Sequence, residues 1–138
     1  MEFNCSQLSD EVLKSIFDAP FIDTELDEDG DLFVTDEMRV LVEGLPDQDC
    51  FQFTAYFSID KEHAREKLLE VCNNFNESYL GLKASITEGN EVITFNYAVL
   101  MKGGGKIEAK EIIRLFKYFQ DVVSASMEDE ELRFIAQE

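Results

Sequence analysis

The chain has one histidine, His63, and three cysteines, Cys5, Cys50 and Cys72, and this shortage excludes most metal and nucleophile chemistry. One histidine cannot supply a histidine cluster for zinc, and the cysteines are far apart, with no Cys-x-x-Cys pair. Three widely spaced cysteines form no disulfide framework, so we expect free thiols in a reducing cytoplasm. A cysteine–histidine nucleophile would need a thiol beside His63. The pattern places His63 in the first turn of a helix, where we expect a solvated surface residue rather than a catalyst.

Basic residues are also scarce. Twelve lysines and arginines stand against thirty aspartates and glutamates, which gives a net charge of −18 at pH 7. Residues 1–60 hold 16 acids and 2 bases and carry −14, whereas residues 61–138 hold 14 acids and 10 bases and carry −4. Such a field repels phosphate backbones and anionic membranes, which argues against nucleic-acid and membrane binding, and it attracts a basic protein. The alternative is that the acidity only keeps the chain soluble and monomeric.

Long apolar runs are absent from the sequence. The longest, residues 97–101, is far too short to span a bilayer, and the first residues lack the basic and apolar regions of a signal peptide. With two prolines and seven glycines, the chain has no linker-like or collagen-like tract. It is 45% hydrophobic with 12 phenylalanines, which is enough apolar mass for one core. The sequence therefore predicts a single domain over residues 1–138, with a core over about 8–126 and an acidic C-terminal segment over 127–138.

The most apolar stretch is a predicted strand over residues 91–101, followed by Gly103-Gly104-Gly105 and a long helix predicted over about 106–126. Alternation assigns two faces to this strand. The bulkier face is expected to lie under helices and comprises Ile93, Phe95, Tyr97 and Val99. The lighter face is expected to be open to a partner and comprises Val92, Thr94, Asn96 and Ala98.

Two further helices are predicted from apolar periodicity and end signals. A short helix follows the N-cap Ser9. Another is expected to run from the N-cap Asp60 to Asn73-Asn74-Phe75-Asn76, since asparagine favours helix ends. A helical segment with Leu132 and Ile135 is expected near the C-terminus.

The remaining segments predict antiparallel strands. Residues 22–58 form a meander of short strands, and the clearest alternation lies in residues 50–58, with Gln52, Thr54, Tyr56 and Ser58 on the wet face. Gly89-Asn90 predicts a type II′ hairpin turn with glycine first. We therefore expect an α+β domain in which helices pack on an antiparallel sheet of about five strands, in the order α-β-β-β-α-β-β-α.

One stretch, residues 25–36, approaches the twelve-residue calcium loop of an EF-hand. Oxygen ligands fall at positions 1, 3, 5 and 12, a glycine at position 6 and an aliphatic residue at position 8: Glu25, Asp27, Asp29, Asp36, Gly30 and Leu32. The match is incomplete, because Phe33 stands at position 9, the residue at position 12 is the short Asp36, and the flanking segments are predicted strands. We interpret the stretch as an acidic hairpin turn, with a calcium site as the alternative.

The segment Gly103-Gly104-Gly105 follows a strand and precedes a helix, which is the topology of a phosphate-binding loop. It lacks both GxxxxGK[ST] and GxGxxG, so a structural hinge is the better interpretation.

Carboxylate pairs occur everywhere in so acidic a chain and do not by themselves indicate a catalytic pair. The sequence therefore predicts no catalytic, cofactor-binding or metal-binding residues.

Four features occur together over residues 20–125. They are Asp29-Gly30-Asp31 before a strand, a strand pair over residues 38–57, a helix ending in Asn73-Asn74-Phe75-Asn76, and a strand leading to Gly103-Gly104 and the long helix. In this combination the chain resembles the YbjN-like family, small bacterial proteins described as sensory transduction regulators with the fold of type III secretion chaperones. Phe75 stands where the family leads us to expect a tryptophan, and the acidic segment after Met127 has no counterpart there.

The resemblance implies a non-enzymatic cytoplasmic protein that acts by protein–protein contact, often as a homodimer, and it carries over no catalytic residues. Together with the acidic field, it predicts a chaperone-like or regulatory interaction module with a protein partner, and the charge favours a basic one. Two alternatives stay open. One is a small-ligand binder or enzyme with a pocket between sheet and helices, and the other is an immunity-type inhibitor of a basic toxin.

Overall fold

A computed structural model describes residues 1–60, 62–101 and 103–132, apart from the side chain at position 130. The strands are β1 Glu2–Asn4, β2 Asp23–Leu26, β3 Leu32–Thr35, β4 Arg39–Leu45, β5 Cys50–Ser58, β6 Leu82–Ile86, β7 Val92–Leu100 and β8 Lys106–Glu108. The helices are α1 Asp10–Asp18, α2 Arg65–Ser78 and α3 Ala109–Met127. Among the described residues, no helix is long and apolar enough to cross a membrane.

Six strands form one antiparallel sheet in the order β2-β3-β4-β5-β7-β6, and β1 pairs with β8 in a separate ribbon. This confirms the predicted α+β fold with an antiparallel sheet. The expected count of about five strands was too low. Four strands, rather than three, separate α1 from α2, and β1 and β8 were not predicted as strands.

All three helices lie on one face of the sheet, where aromatic rings fill the core. Phe53 of β5 packs against Phe116 of α3, with ring centroids 5.7 Å apart, and Phe116 also packs against Phe17 of α1 at 4.9 Å. On α2, Phe75 lies 5.1 Å from Phe95 of β7. The bulkier face of β7 therefore lies under helices, as predicted, because alternation assigns Phe95 to the same side as Phe53.

Helix α1 begins as predicted, because the Ser9 hydroxyl accepts a hydrogen bond from the backbone N–H of Val12. Its C-terminus is closed by Phe21, which adopts a left-handed φ of 63°. The N–H of Phe21 donates to the carbonyl of Asp18, and the N–H of Ile22 donates to the carbonyl of Phe17. These two bonds form a Schellman motif, which usually places glycine at the left-handed position.

Helix α2 begins at Arg65 rather than after Asp60, and Ala64 is its N-cap. The prediction was wrong here because the preceding backbone still follows the sheet: the N–H of Ile59 donates to the carbonyl of Glu91. The asparagine run does not end the helix, which continues to Ser78.

Helix α3 begins at Ala109, three residues later than predicted, because Lys106–Glu108 pairs with Glu2–Asn4 as β8. Gln120 is a polar residue on its buried side, and it is only 1% exposed. Its side chain donates to the Asp36 carboxylate and accepts from the backbone N–H groups of Glu37 and Met38. The amide thereby holds the β3–β4 turn against the helix.

Two smaller expectations concern turns and the C-terminus. In the β6–β7 turn, Asn90 takes the left-handed φ of 55°, and Gly89 does not, so the type II′ prediction was wrong. After α3, Glu130–Leu132 forms a short 3-10 turn, in which Leu132 is buried. The predicted helical position of Ile135 lies outside the described residues.

Candidate interaction surface

The sheet face opposite the helices carries one row of side chains that crosses all six strands. We call this side the open face. In the register of the sheet, each member of the row pairs with the next. From edge to edge the row comprises Glu25, Phe33, Leu41, Thr54, Asn96 and Lys83.

The centre of the open face is a network of side-chain hydrogen bonds. The Asn96 amide donates to the Thr54 hydroxyl at 2.9 Å and to the Gln52 carbonyl oxygen at 3.1 Å. The Gln52 amide in turn donates to the Glu43 carboxylate at 3.0 Å. Asn96 is thus half-buried among neighbouring strands rather than under a helix, which confirms the prediction that its side of β7 is open.

An apolar area adjoins this network on β3, β4 and β5. Leu41 lies on the open face and is only 8% exposed. Tyr56 is 45% exposed. The guanidinium of Arg39 lies 3.6 Å from the centroid of the Phe33 ring, a cation–π contact.

Carboxylates gather beside this apolar area. Burial raises the pKa of the Tyr56 hydroxyl, and the nearby negative charges of Glu43 and Asp31 raise it further. The pKa of the Asp10 carboxyl is also raised, first by burial and then by Glu11, Asp31 and Glu43. Asp31 and Glu43, which are distant in sequence, therefore both raise the pKa values of Tyr56 and Asp10. The two carboxylates lie close together and make this part of the surface negative.

The β2–β3 turn contains the carboxylates of the EF-hand-like stretch. Side-chain oxygens of Asp27, Asp29 and Asp31 lie within 4.8 Å of one another. One Asp27 oxygen accepts from the backbone N–H groups of Asp29 and Asp31, at 3.0 and 2.9 Å. Gly30 has a positive φ of 82°, as the turn requires. Strands flank the turn on both sides, so the hairpin geometry was predicted correctly, and the geometry supports a turn role for Asp27.

The three thiols are free and buried. The Cys5 thiol donates to the carbonyl of Cys50 at 3.3 Å. Burial raises the pKa of all three, and that of Cys72 rises to about 11 despite the opposing charge of Arg65. Such thiols are poor nucleophiles at neutral pH.

His63 is half-buried and precedes α2, so its predicted place in the first helical turn was wrong.

The glycine segment does not lead into a helix. Gly103 and Gly104 lie between β7 and β8, and α3 starts only at Ala109. The strand–loop–helix topology of a phosphate loop is therefore not present, and the predicted hinge between a strand and the long helix was wrong in that the glycines precede a strand.

Several cavities lie at the surface. One of about 680 Å³ is lined by residues that include Asp60, His63 and Asn90. Another of about 500 Å³ lies beside the β3–β4 turn, with Met38 and Met127 in its lining. Between sheet and helices, by contrast, the described side chains pack ring against ring.

Family and structural comparisons agree with this architecture. A family model described as "YbjN: Putative bacterial sensory transduction regulator" matches residues 9–129. The chain belongs to the YbjN family. No curated protein matches it.

Three solved structures share the fold. YbjN from E. coli is 12% identical, with a TM-score of 0.72, and the match covers 92% of this chain and 95% of that one. A chain of the HopA1–SchA chaperone–effector complex is 9% identical, with a TM-score of 0.60 and coverage of 86% and 92%. An uncharacterized protein from Methanothermobacter thermautotrophicus is 15% identical, with a TM-score of 0.60 and coverage of 92% and 99%. This member of the YbjN family thus has a fold that also occurs in a chaperone–effector complex.

Sequence reasoning found only part of the open face. It assigned Gln52, Thr54, Tyr56 and Asn96 correctly, because the alternation in β5 and β7 is clear. It gave no face to Phe33, since both neighbours of that residue, Leu32 and Val34, are apolar and alternation then gives no direction. The available signal was Asp31, an acidic residue two positions before Phe33, which marks the solvent-facing side of this strand.

Proposed function

We propose that this protein is a non-enzymatic interaction module of the cytoplasm, chaperone-like or regulatory, that binds a protein partner on the open face. The observation that carries the proposal is the row from Glu25 to Lys83, which the helices leave uncovered. Membership of the YbjN family and a relative within a chaperone–effector complex support it. With a net charge of −18, a regulator of this kind acts through protein contact rather than by direct contact with nucleic acid.

The alternative of an enzyme or ligand binder with a pocket between sheet and helices is less well supported. Phe53, Phe116 and Phe119 occupy the space where such a pocket would lie, with ring centroids 5.7 and 6.0 Å apart. Binding sites for small molecules are concave and accessible. The observed packing therefore favours the exposed surface over the interior.

Photo-crosslinking tests the proposal with a matched pair of tyrosines. Tyr56 on the open face is 45% exposed, and Tyr118 on α3 is 44% exposed. Each is replaced in turn by p-benzoylphenylalanine, and the full chain is irradiated in cells of its source organism. We expect discrete adducts from position 56 and none from position 118. Adducts from position 118 alone, or from neither position, would contradict the proposal, whereas an adduct of twice the chain's mass would identify the partner as a second copy.

A further inference from the structure

The open face is electrostatically one-sided. Its β2–β4 half carries Asp23, Glu25, Asp31 and Glu43 against a single cation, Arg39. The described network ties Glu43 to Gln52, but no cation pairs with any of these four carboxylates among the described ion pairs. Unpaired carboxylates on one face attract and orient a cationic partner.

The same half also offers an apolar platform. Phe33 is half-buried, and the guanidinium of Arg39 lies 3.6 Å from the centroid of its ring, so an aromatic ring and the aliphatic stem of an arginine form part of this surface. The ring of Tyr56, which is 45% exposed, extends the platform to β5, whereas Leu41, at 8% exposed, contributes little surface. An aromatic centre bordered by carboxylates fits a segment that combines cationic and apolar side chains.

We propose that the β2–β4 half of the open face binds a basic polypeptide segment of another protein, with lysine or arginine at the carboxylates and an apolar side chain on the platform. This inference rests on the proposed function and adds the chemistry of the partner. A second copy that docks through the same half is the less favourable occupant, because two β2–β4 halves in contact would bring two sets of these carboxylates together. Like charges opposed at an interface are repulsive.

The test uses the full chain and three synthetic ten-residue peptides, in which valine alternates with lysine, glutamine or glutamate. Affinity is measured by fluorescence anisotropy at about 0.15 M salt, where charges separated by more than about 8 Å are screened. We expect the lysine peptide to bind and the glutamate peptide not to bind. Amide chemical shifts should change most at Phe33, Leu41 and Tyr56, a result that needs no variant.

Two double variants of equal net charge separate the site from the overall field. E25Q with E43Q removes charge from the open face, and glutamine at 43 still accepts from Gln52. E66Q with E70Q removes the same charge from the exposed side of α2. The first should raise the Kd for the lysine peptide about fivefold, since each exposed ion pair contributes modestly, and the second by less than about twofold.

Equal weakening by both double variants would overturn the inference, because only net charge would then matter. Equal binding of the lysine and glutamine peptides would overturn it as well. Melting temperatures of both variants check that they fold. The proposed function can survive either failure: if position 56 crosslinks to a partner segment without lysine or arginine, the open face binds protein but the partner is not basic.

Discussion

The side chain of Asn76, on α2, forms two hydrogen bonds with the backbone of Ala84, the middle residue of the edge strand β6. Its Oδ1 accepts from the Ala84 N–H at 2.6 Å, and its Nδ2 donates to the Ala84 carbonyl at 3.2 Å. The amide thus occupies the position that a neighbouring strand would take. Edge strands with unpaired backbone groups are templates for pairing with another chain, so Asn76 protects this edge.

Replacing Asn76 by alanine should destabilise the protein and promote its self-association. The substitution leaves two backbone groups of Ala84 without partners, and we expect the free energy of unfolding to fall by about 1–3 kcal/mol. Urea unfolding measures the loss, and analytical ultracentrifugation measures association. Asn74→Ala is the matched control, since the Asn74 side chain is exposed on the same helix and, within the described part of the chain, donates to the Glu131 carboxylate at 3.3 Å rather than to a strand. Equal losses in the two variants would show that the Ala84 contact is unimportant.

Asn76 also shows where prediction from sequence stops. The antiparallel sheet and the orientation of β5 and β7 followed from alternation within each strand, which is a local signal. The role of Asn76 and the start of α3 did not, because each depends on a pairing outside its own segment. Asn76 is satisfied by Ala84, and Lys106–Glu108 becomes a strand by pairing with Glu2–Asn4, about a hundred residues away.

The exposed ring of Phe21 predicts a stabilising substitution. Phe21 is 94% exposed and holds a φ of 63°, which costs a non-glycine residue about 1–2 kcal/mol. Phe21→Gly should therefore raise the free energy of unfolding by about 0.5–1 kcal/mol, after the greater entropy of glycine in the unfolded chain is subtracted. Phe21→Ala keeps the strained backbone and should change stability little. If alanine stabilises as much as glycine in denaturant unfolding, the ring rather than the backbone is the cause.

Gly44 should tolerate no side chain. A Cβ at this position would lie 2.1 Å from the carbonyl oxygen of Leu8, which is backbone and cannot move aside without shifting the segment before α1. We expect Gly44→Ala to destabilise by about 3 kcal/mol or more, comparable to severe overpacking of a core. Gly89→Ala is the control, because its nearest neighbour would be the Glu91 side chain at 3.6 Å. Thermal unfolding that shows similar melting temperatures for both variants would contradict this close approach.

The buried thiols should be unreactive in the native protein. With the pKa of Cys72 at about 11, its thiolate fraction at pH 8 is on the order of 0.1%. A disulfide reagent such as DTNB should therefore modify three thiols promptly in denaturant and none promptly without it.

The same thiol should make stability depend on pH. Its pKa is about 11 in the native state and 9.0 ordinarily, so between these values the native state keeps a proton that the unfolded chain loses. The contribution of Cys72 to the free energy of unfolding is therefore present below pH 9 and is lost as the pH rises towards 11. Cys72→Ser should remove that part of the pH dependence.

The β2–β3 turn should not need calcium. Asp27 already accepts two backbone hydrogen bonds within the turn, and strands replace the helices that flank an EF-hand loop. We expect no change of melting temperature when calcium is raised to millimolar concentration, whereas Asp27→Ala should lower the free energy of unfolding by about 1 kcal/mol as the turn loses its acceptor. A saturable rise of melting temperature with calcium would contradict this interpretation, since a ligand that binds only the native state stabilises it. If that rise disappeared in Asp29→Asn, whose side chain accepts none of the described hydrogen bonds, the clustered carboxylates would be the calcium ligands.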